Sequence, residues 1–302
     1  MLLPSFRLLA GFAVLLVVSS FGLTAQGDEK PAAAANEKLA GEIDFQKDIV
    51  YGTGGGEPLM LDLATPKDLT KAVPGLIFIH GGGWQGGNRR DFDGAAREAA
   101  KRGYVAVSIG YRFAPKHRFP SQVEDCKCAV RWLRANAEKY HVDPNRIGVV
   151  GVSAGAHLAL MLGTMGRSDG LEGEGGQPEA SSRVQAVVSF CGPTNLLAEV
   201  PTISKPILAN FLGGPVQEKA DSAKAASPIT YVTADDPPTL FIQGTKDPLV
   251  PHGQAVEMAE ALTKVGVPGR VELLIGEGHA WPKENERVMR VTHEFLAKYL
   301  NP

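Results

Sequence analysis

The sequence predicts an α/β fold in which a mainly parallel sheet is flanked by helices on both faces. Apolar, strand-like runs alternate along the chain with stretches of helical periodicity. Apolar residues make up 44% of the 302 residues, which is enough for a large core. The formal net charge is only −2, so no nucleic-acid partner is expected.

The individual elements follow from the local pattern of apolar residues. Residues 43–51 and 59–64, joined by a glycine-rich run, predict an antiparallel hairpin at one edge of the sheet. Other apolar runs predict buried strands at residues 75–80, 146–151, 239–244 and 271–275, with one more ending at Cys191. Helices are expected near residues 91–102, 121–139, 154–164, 253–265 and 283–300.

The sequence Gly151-Val152-Ser153-Ala154-Gly155 lies between a predicted strand and a predicted helix. A serine flanked by small residues at such a turn strains the backbone and exposes its hydroxyl. The pattern is loose in a chain with 35 glycines, and a glycine-rich turn between two buried elements is the alternative interpretation. The strand before the motif and the helix after it favour a nucleophilic Ser153.

A second glycine-rich loop, His80-Gly81-Gly82-Gly83-Trp84, follows another predicted strand. Glycines let the backbone approach a ligand closely with its amides free. Beside Ser153, the loop favours an oxyanion hole formed by the amides of Gly82, Gly83 and Ala154. An ordinary flexible loop is the alternative. We expect His80 to anchor this loop rather than to act as a base.

The acid and the base are expected just past the carboxyl ends of later strands, because catalytic groups of parallel sheets gather at that edge. Asp247 follows the predicted strand 239–244, and His279 follows the next predicted strand in a glycine-flanked loop. The chain order Ser153, Asp247, His279 is the order that this architecture uses. The rival acids Asp235 and Asp236 precede their strand and therefore lie at its wrong end.

Several motifs occur in one order along the chain. They are His80 to Trp84, Tyr111 to Pro115, Phe119-Pro120, Glu124-Asp125, Gly151 to Gly155, Asp247 to Val250, and Gly278-His279. Together they resemble an α/β-hydrolase of the esterase and lipase group with an HGGG oxyanion loop, over roughly residues 42–300. The chain is similar to secreted bacterial carboxylesterases, including acetyl-xylan and feruloyl esterases. The resemblance implies a Ser153–Asp247–His279 triad and an oxyanion hole at Gly82, Gly83 and Ala154.

The resemblance also indicates a branch of that group. Hormone-sensitive-lipase relatives carry Gly-Asp-Ser-Ala-Gly, whereas Val152 stands in place of that aspartate here, and their long N-terminal cap helices are missing. Both departures favour the smaller, polysaccharide-esterase-like branch. The resemblance therefore implies a serine esterase that cleaves short-chain acyl esters through an acyl-enzyme, with acetyl or feruloyl groups on polysaccharide as candidate substrates. A serine peptidase and a non-catalytic binding module on the same fold remain alternatives.

The N-terminal residues predict the compartment. Arg7 precedes an apolar stretch, residues 8–23, which ends near the small residues Ala25 and Gly27. This predicts a secretory signal peptide at residues 1–27 and an exported protein, periplasmic or extracellular. Residues 28–41 predict a flexible leader, and residues 42–302 the catalytic domain. A permanent membrane anchor is the alternative, which the short apolar stretch disfavours.

Two segments interrupt the alternation of strands and helices. Residues 166–182 are glycine-rich and acidic, which predicts an exposed loop. Residues 194–234 lie where this fold carries a cap, and predict either a small lid that shapes the acyl pocket or a segment packed against the sheet edge.

Three further expectations concern ligands and cysteines. Trp84 and Trp281 flank the oxyanion loop and the base, and are candidate platforms for a sugar ring or an aromatic acyl group, with buried packing as the alternative. The three cysteines are expected to be buried thiols without a disulfide framework. No CxxC pair, HExxH motif or carboxylate cluster indicates a metal, and no cofactor is expected.

Overall fold

The computed structural model describes residues 42–279 and 285–300, and within these ranges the strands form one eight-stranded sheet. The strands are β1 (Ile43–Gly54), β2 (Glu57–Pro66), β3 (Val73–Ile79), β4 (Val105–Ile109), β5 (Val142–Val152), β6 (Ala186–Phe190), β7 (Thr239–Gly244) and β8 (Gly269–Leu274). Their order across the sheet is β1-β2-β4-β3-β5-β6-β7-β8. β2 pairs antiparallel with β1 and β4, and every other neighbouring pair is parallel. The predicted, mainly parallel sheet is confirmed, and the predicted signal peptide and leader lie outside the described residues.

Helices cover both faces of this sheet. They are α1 (Asp93–Lys101), α2 (Ser121–Ala135), α3 (Ala137–Tyr140), α4 (Ala154–Thr164), α5 (Lys205–Leu212), α6 (Ala220–Ala225), α7 (Gly253–Lys264) and α8 (Asn285–Leu300). Because successive strand residues point to opposite faces, Ile77 and Ile79 of β3 join the core under α2, α4 and α7, whereas Leu76 and Phe78 join the core under α1 and α8. In the part of the chain that the structure describes, no helix is both long and apolar enough to span a bilayer.

The structure refines three of the predicted elements. β1 and β2 form the expected edge hairpin, but the strands extend so far that only Gly55 and Gly56 form the turn, with φ of 57° and 80°. The helix expected over residues 121–139 divides at Asn136 into α2 and α3. β4 was not among the predicted strands, although all five of its residues are buried.

Residues 166–182 are largely exposed, as expected, but one side chain of this loop binds to the protein core. The carboxylate of Glu172 accepts hydrogen bonds from Lys127 Nζ and Arg131 Nη1, each at 2.8 Å. Both cations belong to α2 and are almost completely buried, with 0% and 1% of their surface exposed. The carbonyl of Gly175 also accepts a hydrogen bond from the Thr53 amide of β1. The loop is therefore part of the packed structure, because it supplies the negative charge that two buried cations require.

We predict that Glu172→Gln destabilises the protein by about 3 kcal/mol, because an amide cannot neutralise two buried cations. Urea unfolding at neutral pH measures the loss. Glu179→Gln is the matched control, since Glu179 lies exposed in the same loop. Equal unfolding free energies for the two variants would show that Glu172 does not compensate the buried charges.

Candidate active site

Ser153 lies at a sharp turn between β5 and α4, and its backbone is strained. Its φ of 54° and ψ of −119° form a combination that residues with a side chain rarely adopt. The flanking glycines are required by close contacts: a Cβ at Gly151 would lie 2.2 Å from the Gly155 carbonyl oxygen, and a Cβ at Gly155 would lie 2.2 Å from the carbonyl oxygen of Ile79. The turn therefore holds the serine at the carboxyl edge of the sheet, where its side chain is partly exposed.

Ser153, His279 and Asp247 form one continuous line of hydrogen bonds. His279 Nε2 lies 2.9 Å from Ser153 Oγ, and His279 Nδ1 lies 2.7 Å from Asp247 Oδ2. Because a carboxylate only accepts, Nδ1 carries the proton and Nε2 is free to accept the serine proton. The structure thus brings together the three residues that the sequence placed at the ends of three different strands.

The Asp247 carboxylate is buried and fully hydrogen-bonded. Its Oδ1 accepts from the amides of Leu249 and Val250, at 2.8 Å and 3.0 Å, and its Oδ2 accepts from Gln243 Nε2 at 2.9 Å as well as from His279. Burial opposes ionisation of this group, but the hydrogen bonds from His279 and the two amides outweigh it and lower the pKa of Asp247 below its usual value. The carboxylate therefore stays charged and oriented toward the imidazole.

The loops that carry the acid and the base are bound to each other. Lys246 N–H donates to the Glu277 carbonyl at 2.8 Å, and Gly276 N–H donates to Thr245 Oγ1 at 2.9 Å. A Cβ at Gly244 would lie 2.1 Å from the Gly278 carbonyl oxygen, so only glycine lets the chains come this close. These contacts fix the separation of Asp247 and His279.

The glycine loop after β3 lies directly beside the serine. A Cβ at Gly81 would lie 3.3 Å from Ser153 Cβ. The next three residues, Gly82, Gly83 and Trp84, all have positive φ, of 112°, 60° and 60°. Within residues 42–279 and 285–300, the amides of Gly82, Gly83 and Ala154 donate to no protein acceptor. They are therefore free to bind an anion formed next to Ser153.

Of the two tryptophans expected to be candidate substrate platforms, the structure describes Trp84. Trp84 is buried, with 3% of its surface exposed, and stacks on Phe211 of α5 with ring centroids 4.2 Å apart. Its indole therefore offers no open face to a sugar or an aromatic acyl group, and the alternative interpretation, buried packing, describes its position. Trp281 lies outside the described residues.

His80, His157 and the three cysteines are buried. His80 is buried, stacks on Tyr111 and bonds the Gly81 carbonyl through Nδ1 at 2.7 Å, as expected of a loop anchor. His157 packs in the core, also as expected. Cys126 and Cys128 are buried free thiols, and so is Cys191.

Among residues 42–279 and 285–300, Cys191 also belongs to a group of side chains whose spacing could hold a metal ion. Potential ligand atoms of Cys191, Asp247 and His279 lie within 4.8 Å of one another. However, both ring nitrogens of His279 already have partners, and burial, with the nearby Asp247 charge, raises the pKa of the Cys191 thiol. A metal would need the thiolate, so these donors do not fit a resident metal ion.

Comparison with known proteins identifies the family of this chain. Residues 61–262 match the BD-FAE family. The chain belongs to this family. The predicted resemblance to α/β-hydrolase esterases is thereby confirmed.

The BD-FAE chain is similar to several esterases. Esterase LipC of Mycobacterium tuberculosis is 34% identical over 264 residues, which cover 84% of this chain and 64% of LipC. The chain also spans less than two thirds of the length of the related M. tuberculosis esterases LipQ and LipM.

Two solved structures cover most of both chains. A truncated carbohydrate esterase from gut microbiota has a TM-score of 0.70 and 26% identity, over 85% of this chain and 98% of its own. Thermogutta terrifontis esterase 2, phosphonylated by sarin, has a TM-score of 0.75 and 28% identity, over 85% of this chain and 96% of its own. The same esterase is also known with bound propionate.

Gln243, which donates a hydrogen bond to Asp247, was not among the site residues predicted from the sequence. This residue is buried in β7, where it interrupts the apolar run Thr239–Gly244. A single amide inside an otherwise apolar buried strand needs a partner, because an unsatisfied polar group there is costly. The isolated glutamine therefore could have predicted a nearby polar partner, and the Asp247 carboxylate is one such partner.

Proposed function

We propose that the chain is a serine carboxylesterase that hydrolyses short-chain acyl esters through an acyl-enzyme. The observation that carries this proposal is the unbroken hydrogen-bond line from Ser153 Oγ through the imidazole of His279 to the buried Asp247 carboxylate. A hydroxyl is a weak nucleophile at neutral pH, and an adjacent oriented base is what activates it.

The reaction follows from the assigned protons. His279 Nε2 takes the Ser153 proton as Oγ attacks the ester carbonyl, and Asp247 stabilises the imidazolium that forms. The imidazolium then protonates the departing alcohol, which leaves an acyl group on Ser153. Water attacks this acyl-enzyme by the same route, with His279 again as the base, and the carboxylic acid and free serine are released.

The oxyanion of each tetrahedral intermediate is assigned to the amides of Gly82, Gly83 and Ala154. These groups lie beside Ser153 and have no protein acceptor among the described residues. Donors that are fixed before the reaction stabilise charge as it develops, and removing one such donor raises the barrier by about 3 kcal/mol. This stabilisation is the largest single contribution that we assign to the site.

The substrate class is proposed from the relatives. One of them is a carbohydrate esterase, and another binds propionate. These two relatives support a substrate with a short acyl group, such as acetyl, on a carbohydrate alcohol. The family resemblance adds feruloyl esters to the candidate substrates. Export through the signal peptide proposed at residues 1–27 fits this class, because polysaccharide substrates lie outside the cell.

Ser153→Ala is expected to abolish hydrolysis of p-nitrophenyl acetate while leaving the thermal unfolding midpoint within a few degrees of the wild type. A fluorophosphonate probe should label the wild type and not this variant, since the probe reacts with the activated hydroxyl. Ser168→Ala, an exposed serine in the loop after α4, serves as the control and should retain both signals. Persistent labelling of Ser153→Ala would assign the nucleophile elsewhere.

A substrate panel tests the proposed specificity. p-Nitrophenyl acetate and propionate should be hydrolysed with higher kcat/KM than the palmitate ester, and acetylated xylan or a feruloyl sugar ester should release its acid. Peptide amides should show no turnover under the same conditions. Faster cleavage of a peptide than of any ester would instead support the peptidase alternative.

A further inference from the structure

Trp84 has a backbone conformation that its bulky side chain does not favour. Its φ is 60°, in the left-handed region that residues other than glycine, asparagine and aspartate rarely adopt. It directly follows Gly82 and Gly83, whose amides face the serine in the proposed function. A residue held in this region requires surrounding contacts that over-determine it. The contacts of Trp84 therefore control the shape of the oxyanion loop.

Three successive residues, Gly83, Trp84 and Gln85, contact a single helix of the segment 194–234, α5. Ile207 approaches Gly83 so closely that a Cβ there would lie 2.9 Å from Ile207 Cγ2. Trp84 stacks on Phe211 with an angle of 13° between the ring planes. Asn210 Nδ2 donates to Gln85 Oε1 at 2.6 Å. The loop thus lies against α5 from Gly83 to Gln85.

His157 connects the same loop to a second part of the segment 194–234. Trp84 Nε1–H donates to His157 Nδ1 at 3.2 Å, and His157 Nε2 lies 2.7 Å from the carbonyl oxygen of Ala226. These partners fix the neutral tautomer with the proton on Nε2. Burial lowers the pKa of His157 to about 4, although the bond to Ala226 opposes this, so the ring is neutral at physiological pH.

The position of His157 in the sequence links this contact to the nucleophile. His157 lies one helical turn after Ser153, and its amide donates to the Ser153 carbonyl at 3.0 Å. The side chain of His157, on the helix that follows the nucleophile, therefore accepts a hydrogen bond from the Trp84 indole and also binds the Ala226 carbonyl.

We propose that His157 and Phe211 are positioning residues that hold Trp84 in its left-handed conformation and thereby aim the amides of Gly82 and Gly83 at the oxyanion. The inference rests on the proposed esterase function. It gives the segment 194–234 a role in catalysis, because transition-state stabilisation depends on its docking against the loop. If these residues only filled the core, their loss would lower stability and leave turnover by the folded enzyme unchanged.

The test compares two variants of His157. His157→Phe keeps a ring of similar volume but removes the acceptor for the indole and the donor to Ala226. His157→Asn retains an oxygen near the position of Nδ1, so it can still accept from Trp84. We expect kcat for p-nitrophenyl acetate to fall about ten- to hundredfold in His157→Phe, with little change in KM. In His157→Asn the fall in kcat should be several-fold smaller.

Binding of a trifluoromethyl ketone, which forms a tetrahedral adduct with the serine, should weaken by the same factor as kcat in each variant. Leu162→Ala is the control for lost stability, because Leu162 is buried in α4 and takes no part in the hydrogen bonds of His157. It should lower the unfolding midpoint without lowering kcat. Trp84→Phe, which removes the indole donor and part of the ring that stacks on Phe211, repeats the test if His157→Phe does not fold.

Unchanged kcat and ketone binding in His157→Phe and Trp84→Phe would overturn the inference. A loss of kcat in Leu162→Ala as large as that in His157→Phe would also overturn it, since any loss of packing would then suffice. An active Ser153→Ala would instead contradict the proposed function itself. The inference alone fails if Ser153→Ala is inactive and the His157 and Trp84 variants turn over normally.

Discussion

The site depends on one strained residue, Ser153, whose φ of 54° turns the chain from β5 directly into α4. The strained conformation persists because surrounding contacts leave the turn little room to relax. The helix α4 lies so near the end of β3 that only glycine fits at position 155. Ser153 N–H also donates to the Phe190 carbonyl at the end of β6. Neighbouring strands thus hold the backbone of the serine from both sides.

The other groups of the site reach the same edge by different means. Asp247 and His279 lie on loops, and loops are ordinarily the mobile part of a protein. Here the two loops are hydrogen-bonded to each other, and Gln243 and two backbone amides hold the carboxylate. The oxyanion loop contacts α5 and His157 of α4 instead. Each functional group therefore takes its rigidity from packed elements around it rather than from its own backbone.

Much of this arrangement is predictable because it follows from local rules. Alternating apolar runs predict the parallel sheet, and the carboxyl ends of its strands predict where Ser153, Asp247 and His279 meet. Contacts between distant segments leave no periodic signal. The glycine-rich loop is largely exposed, as its composition predicts, but nothing in its sequence indicates that Glu172 neutralises two cations buried in α2. Trp84 looks like a substrate platform because its partner, Phe211, lies far along the chain in a segment without clear periodicity.

The central claim is that Ser153 carries the acyl group between the two halves of the reaction, and trapping that intermediate tests it most directly. The wild-type enzyme would be mixed with p-nitrophenyl acetate, quenched in acid within the first turnovers, digested and analysed by peptide mass spectrometry. An acetyl group is expected on the peptide that contains Ser153, and it should disappear when the quench is delayed until the substrate is exhausted. Acetylation found on His279 or Cys191 instead, with Ser153 unmodified, would contradict the claim.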